Sequence, residues 1–219
     1  KYFGYIFDSP VRFYNGNTET VFNGNINDKG VATFPLNLKI AENAPGMLKA
    51  YFTTKVFEEG GEFSIDRHNV DLSPFTSYVG MRFPESRYFG GMLETGETHK
   101  IDVATVDEKG NPVNRQKVNV RVYNIGWRWW WDHQDEDLGG YLARTSTTAV
   151  RDTNINTMNG KAVYNLRLTH NHWGRYLVVA TDPVSGHTCG KVVYVDAPWW
   201  SKSNKNENEN ASMLNFSTD

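Results

Sequence analysis

Apolar and polar residues alternate along most of this chain, and a period of two is the mark of a half-buried β-strand. Ala32, Phe34, Leu36, Leu38 and Ile40 alternate with Thr33, Pro35, Asn37 and Lys39, which predicts a strand over Val31–Ile40. Pro35 lacks an N–H, so that strand is expected at a sheet edge. Leu48, Ala50 and Phe52 share one face of a second strand, Met47–Glu58; Glu59-Gly60-Gly61 then turns the chain and Glu62–Val70 returns. Asp71–Thr76 reads as a domain junction. Beyond it Tyr78–Phe83 begins a second unit, in which the pattern predicts strands at His99–Val106, Lys117–Ile125, Tyr141–Val150, Lys161–Leu168, Arg175–Asp182 and Gly190–Ala197. Between them lie turns rich in Gly, Asn, Asp and Pro, notably Asp107–Pro112, Asn159-Gly160 and Asp182–Gly186. No stretch has the 3.6-residue period of an amphipathic helix. The fold class expected is therefore all-β, as tandem antiparallel sandwiches.

One stretch breaks the alternation. After Val118, Val120 and Val122, Gly126 ends the run and Trp127, Trp129, Trp130 and Trp131 follow. Each indole buries ~150–250 Å², and neighbours on a strand face opposite sides. This cluster is expected to pack in the core or at a domain interface, or else to form a sugar-stacking surface. Trp173 precedes Gly174, and Trp199 and Trp200 follow the last predicted strand.

Composition narrows the function. Twenty-three basic and 25 acidic residues leave a net charge of −2, which gives no case for nucleic acid, where a concentrated basic patch is needed. No apolar run approaches the ~20 residues that span a bilayer. With one cysteine, Cys189, there is no intrachain disulfide. Ser201–Asn210 (SKSNKNENEN) contains no apolar residue and reads as a solvated linker. Met213–Phe216 turns apolar again, as the start of a further strand would.

The chain also repeats itself. Gly30–Leu38 and Gly160–Leu168 share the pattern G-x-A-x-aromatic-x-L-x-L, and Gly46–Ala50 matches Gly174–Val178. Self-similarity at a domain-sized period points to tandem copies of one sandwich. The expected organisation is the C-terminal part of one sandwich over 1–74, a complete sandwich over 75–198, and a linker with the start of another strand over 199–219. The first unit has far less chain before its repeat than the second, so it is expected to lack its opening strands. The edges so exposed would pair with the C-terminal tail or with a second molecule by strand addition.

These residues carry a family resemblance. The G-x-A-x-aromatic-x-L-x-L repeat, FEEGGEFS (Phe57–Ser64) and YVGMRFPE (Tyr78–Glu85) resemble the macroglobulin-type domains of bacterial alpha-2-macroglobulins. VYNIGWRWWWD (Val122–Asp132), the turn Asp107–Pro112 and His172–Trp200 resemble a domain in the large versions from Bacteroidetes-like bacteria. The resemblance implies a long, exported, often lipid-anchored protein built of many such sandwiches, in the periplasm or on the outer-membrane surface. It implies a trap that closes around a protease once a bait segment is cut, with neighbouring domains and host or competitor proteases as partners. Many members tether prey through a Cys-Gly-Glu-Gln thioester. Here Thr188-Cys189-Gly190-Lys191 lacks the Glu-Gln, so this stretch is expected to be scaffold.

Three constellations bear on chemistry. His170, His172, His187 and Cys189 invite a metal, but His170 and His172 fall in a polar turn and no third ligand is fixed. Asp182, Ser185 and His187 lie close in sequence, yet a catalytic triad is set by spatial geometry, and turn chemistry accounts for Asp182, Pro183, Ser185 and Gly186. His187 is expected to pack or hydrogen-bond at the strand start, and Cys189 to be a buried, inert thiol. Asp132, Asp135, Glu136 and Asp137 follow the tryptophans and are the best case for carbohydrate chemistry; a solvated acidic loop that keeps the Trp-rich bend soluble is the favoured reading of them. No catalytic residue, cofactor or metal is expected. The leading reading is a scaffold piece of a protease-trapping macroglobulin; the alternative is a carbohydrate-binding surface module.

Overall fold

The structure, a computed structural model, describes residues 1–12, 14–36, 38, 43–86, 91–126, 148–169 and 172–197. Among the described residues the strands are β1 (Leu48–Phe57), β2 (Phe63–Leu72), β3 (Ser77–Arg82), β4 (Leu93–Glu94), β5 (Thr98–Asp107), β6 (Arg115–Ile125), β7 (Arg151–Thr157), β8 (Lys161–Arg167), β9 (Gly174–Thr181) and β10 (Thr188–Asp196). Among the described residues there is no α-helix, and no helix long and apolar enough to cross a membrane.

Strands β3 to β10 form a sandwich. One sheet has the order β4-β10-β9-β6-β7 and the other β3-β5-β8, antiparallel throughout except for the short β4–β10 pair. The alternation in the sequence sets the core. Val118, Val120 and Val122 of β6 and Tyr176, Val178 and Ala180 of β9 point inward from the large sheet. They meet Ile101 and Val103 of β5, Val79 and Met81 of β3, and Tyr164 and Leu166 of β8. Burying each large aliphatic contributes roughly 1.5–3 kcal/mol, so this contiguous layer dominates the stability of the molecule.

Turn chemistry places the strands. Asp107 Oδ1 accepts the N–H groups of Lys109 (2.9 Å) and Asn111 (2.8 Å), closing the β5–β6 connection. Asn159 and Gly160, both at positive φ (50° and 67°), make the tight turn from β7 to β8. At Gly160 a side chain would meet the Thr105 carbonyl and Pro112, which leaves room for glycine alone.

β1 and β2 pair residue for residue from Leu48↔Leu72 to Phe57↔Phe63 and form a separate two-stranded sheet, reached through residues 73–76. Both lie where the alternation predicts them. Two other expectations differ. Described residues 31–36 and 38 carry no strand. Asn27 Oδ1 closes a turn by accepting the N–H groups of Lys29 and Val31, and the Phe22 and Phe34 rings stack at 4.5 Å. Yet Val31, Phe34 and Leu36 remain exposed, and without a partner strand alternation makes no ladder. The strand expected at Tyr141–Val150 falls mostly outside the described residues. Residues 141–147 lie outside the described residues, 148–150 are not strand, and the strand that pairs with β6 is Arg151–Thr157.

Candidate functional site: a docking seam on the sandwich

The most elaborated polar and aromatic arrangement lies where β3 of one sheet meets β10 of the other. Residues 5–12 cross this seam as a strap. Ile6 makes an antiparallel bridge to Met81 of β3, with N–H···O distances of 2.8 and 3.0 Å. Two residues on, the Asp8 carbonyl accepts the N–H of Gly190 in β10 at 3.1 Å. The strap thereby ties one sheet to the other through its own main chain. Its side chains fix its course. The Phe7 ring covers Gly80, where an added Cβ would sit 2.6 Å from the ring. Arg82 lies 5.2 Å from the Tyr5 ring centroid. Val11 packs on the outer face of the large sheet with Leu177 and Ile125. Buried Ser9 receives the Thr188 hydroxyl at 3.1 Å, and its N–H donates to the Pro45 carbonyl at 2.8 Å. Through Pro45 the strap is fastened to the turn that starts β1.

Beneath the strap, the Asp182–His187 turn is built from its own polar groups. Asp182 N–H donates to the His187 carbonyl, Gly186 N–H to the Asp182 carbonyl, and Val184 N–H to Asp182 Oδ1. The Asp182 carboxylate, wholly buried, also receives the Ser77 hydroxyl at 2.6 Å and Arg115 Nε at 3.2 Å. Burial by itself would raise this carboxyl. The Ser77 and Val184 hydrogen bonds and the Arg115 charge outweigh it and hold Asp182 below its ordinary range.

His187 is wholly buried, with its ring against Phe75 (4.9 Å) and Tyr78 (4.7 Å). Nδ1 accepts the N–H of Val79 in β3 at 3.1 Å, so the imidazole joins the β9–β10 turn to the other sheet as a neutral ring. Nε2 has no partner of good hydrogen-bond geometry. Desolvation lowers the pKa to about 4; the Phe7 main chain and Asp182 act against this, and Arg12 adds to it. Arg12 also donates to the Gly186 carbonyl at 3.1 Å and lies over the Phe75 ring.

This geometry holds chain segments together. Ser185 Oγ accepts the main-chain N–H of His187, Asp182 takes Ser77, and Nδ1 of His187 is occupied by a backbone donor, so Asp182, Ser185 and His187 form no relay. Cys189 is buried between sheets, and burial pushes its thiol far up, which suppresses thiolate chemistry. His172 is exposed and bonds Thr169 through Nδ1 at 2.6 Å. It lies at the far end of β9 from His187, roughly 25 Å away for eight residues of strand. Among the described residues no three His, Cys, Asp or Glu side chains gather as a metal site. His170 lies outside the described residues. So do Trp127, Trp129, Trp130 and Trp131, the acidic Asp132, Asp135, Glu136 and Asp137, and Trp199 and Trp200. Trp173 is two-thirds exposed. The seam itself had only an indirect signature, the aromatic opening Tyr2, Tyr5, Phe7 with Pro10, because a strap crossing an edge has no period.

Comparison with known proteins agrees with this architecture. The sequence profile described as bacterial macroglobulin domain 6 matches residues 80–199, more than half of the 219-residue chain. No curated protein matches the chain. Among solved structures, trypsin-activated alpha-2-macroglobulin from Escherichia coli is 13% identical, with a TM-score of 0.47 over 70% of this chain and 10% of that one. Salmonella alpha-2-macroglobulin reacted with methylamine is 13% identical, with a TM-score of 0.37 over 73% and 11%. The chain spans about a tenth of the length of these proteins. With its profile match running from within β3 to beyond the end of β10, over more than half of its length, the chain belongs to the bacterial macroglobulin domain family.

Proposed function

We propose that this chain is a non-catalytic scaffold segment of a protease-trapping, alpha-2-macroglobulin-type protein that acts in the periplasm or at the outer-membrane surface. The family match over residues 80–199 is the observation that carries the reading. Residues 1–74 belong to one macroglobulin-like unit and 75–198 to the next, with 199–219 leading onward. In a trap that collapses when its bait is cut, scaffold units transmit force as rigid blocks. The strap supports that role, because it fastens the segment before β1 to both sheets of the sandwich. The Trp127–Trp131 run then serves as a contact with a neighbouring unit.

The test uses the parent protein. Incubated with trypsin, it is expected to leave cleavage of a small chromogenic peptide intact while cleavage of a large protein substrate falls. Equal activity on both substrates would sink the trapping role. The carbohydrate-binding alternative is separated by acrylamide quenching of tryptophan fluorescence with a glycan panel. Protection by one glycan would favour it over the scaffold reading.

A further inference from the structure

The sandwich has two seams between its sheets, and they are unequal. The β3/β10 seam is closed by the strap. On the opposite side β7 and β8 part from the Asn159-Gly160 turn into different sheets and leave a groove of about 670 Å³ between them. Among the described residues β7 pairs only with β6, and β8 only with β5, so each presents an unpaired edge here. Register explains what lines it. Arg151, Thr153 and Ile155 stand opposite Val122, Val120 and Val118, which are core residues, so they occupy inward positions of β7. Arg151 and Thr153 are nonetheless exposed. From β8 come Val163, half exposed, Tyr164 and Arg167. Towards the Asn159-Gly160 turn the lining, Ile155 and Val163, is apolar. The mouth is flanked by Arg151 and Arg167, and neither has a carboxylate partner among the described residues.

We propose that this groove is a strand-addition site for an extended segment of another polypeptide, acidic at the end that meets Arg151 and Arg167 and apolar or β-branched at the end that meets Ile155 and Val163. Three observations converge on that occupant. Unpaired strand edges offer main-chain donors and acceptors to an extended chain, while the side-chain pockets select its sequence. Two guanidiniums at one end, neither with a carboxylate partner among the described residues, supply charge complementarity and fix direction. The opposite seam already accepts an extended segment, residues 5–12, across the two sheets. A second copy of the chain fits worse at β8. Antiparallel self-pairing about Tyr164 would set Lys161 opposite Arg167, and like charges directly opposite are destabilising.

The experiment is an amide NMR titration of the intact chain with a synthetic acetylated peptide of two glutamates followed by alternating valine and threonine. A control peptide begins with two lysines. Shifts are expected at Thr153, Ile155, Val163 and Asn165 with the acidic peptide. Affinity should fall about tenfold or more in the Arg151→Glu/Arg167→Glu double variant, equivalent to ~1.4 kcal/mol. Both positions are exposed, so the variant should fold, and it should gain affinity for the lysine peptide. That gain keeps the test meaningful even if the double variant loses some stability. Equal binding of both peptides, shifts away from β7 and β8, or no shift at millimolar peptide would each overturn the proposal. So would dimerisation through the groove, seen as concentration-dependent broadening at the same amides. A shift that emerges only after residues 127–147 are deleted would assign the groove to the chain itself and overturn it as well.

Discussion

Burial keeps the His187 ring neutral, and that neutrality links folding to pH. The folded pKa of about 4 lies below the ordinary 6.5, so the unfolded chain binds the proton more readily. The resulting contribution to stability is complete above pH 6.5 and is lost as pH falls from 6.5 towards 4. Between pH 7.5 and pH 5 the loss is about 2 kcal/mol from this one group. Urea midpoints measured at the two pH values should show it. A His187→Phe variant should be less stable at pH 7.5 by ~1–3 kcal/mol, since the Val79 N–H loses its acceptor. The slope between the two pH values should shrink in the same variant; an unchanged slope would remove His187 as its source.

Asp182 works at the same turn with the same overall direction. Its folded pKa is depressed, so its contribution is present above the ordinary carboxylate range and is lost as pH falls through the folded value. Replacing it leaves the Arg115 guanidinium, itself largely buried, with no counter-charge. Asp182→Ala is expected to cost about 3–5 kcal/mol, as breaking one side of a buried pair does. Asp182→Asn keeps one oxygen, enough to accept the Val184 N–H, while its amide N–H faces the Ser77 hydroxyl, which can turn to accept it; this variant should cost less. A chemical denaturation series reads both, and equal losses would mean that the retained hydrogen bonding contributes nothing beyond the charge.

Among the elements, the strap along the seam is the one most easily separated from the rest. It holds to β3 by one bridge and by Phe7 lying over Gly80. Gly80→Ala introduces a Cβ where the ring now is, so Phe7 must leave. The loss should be about 2 kcal/mol of local docking, comparable to exposing a half-buried phenyl ring. The effect should appear as faster proteolysis before residue 46, with the sandwich still folded. Phe7→Ala should do the same, and adding Gly80→Ala to it should cost little more, because the two changes remove one contact. Full additivity would show that Gly80 matters to β3 for another reason.

The same element shows how far the sequence could be read. Strands β5, β6, β9 and β10 were legible because both their pairing and their cover are complete: β6 alternates from Val118 to Val122, and β9, buried on both faces from Tyr176 to Ala180, reads as an unbroken apolar run. β7 was not, because RDTNINT carries one aliphatic residue. Its inward positions face the open groove, where Arg151 and Thr153 remain in water and need not be apolar. Val31–Ile40 fails in the opposite way: its alternation is clear, but no partner sheet covers the described part. The buried role of His187 was legible from its place at a strand start. Its partner Val79, more than a hundred positions away, was not, since only the folded sheets bring them together.

At the scale of the whole molecule, the β1–β2 hairpin and the sandwich are stabilised very differently. The sandwich buries a continuous layer from both sheets. The hairpin has two strands, and one face is the more apolar. Leu48, Ala50, Phe52, Val56, Val70 and Leu72 lie on it beside Thr54, Ser64, Asp66 and His68, and the other carries Lys49, Thr53, Lys55, Arg67, Asn69 and Asp71 with Tyr51, Phe57, Phe63 and Ile65. On the apolar face Val56 and Val70 remain about 40% exposed, and at the tip Phe57 and Phe63 are more than half exposed. A two-stranded sheet with an uncovered face is marginal in water, so its hydrogen bonds should open without the sandwich unfolding. Hydrogen exchange on the isolated chain should therefore find β1 and β2 amides exchanging at least ~100-fold faster than those of β5, β6 and β9, whose opening requires global unfolding. On the scaffold reading proposed above, a neighbouring unit would cover the apolar face, and adding that unit should narrow the difference. Equal protection in the isolated chain would mean that the hairpin and the sandwich unfold as one, and that the apolar face of the hairpin needs no neighbour to cover it.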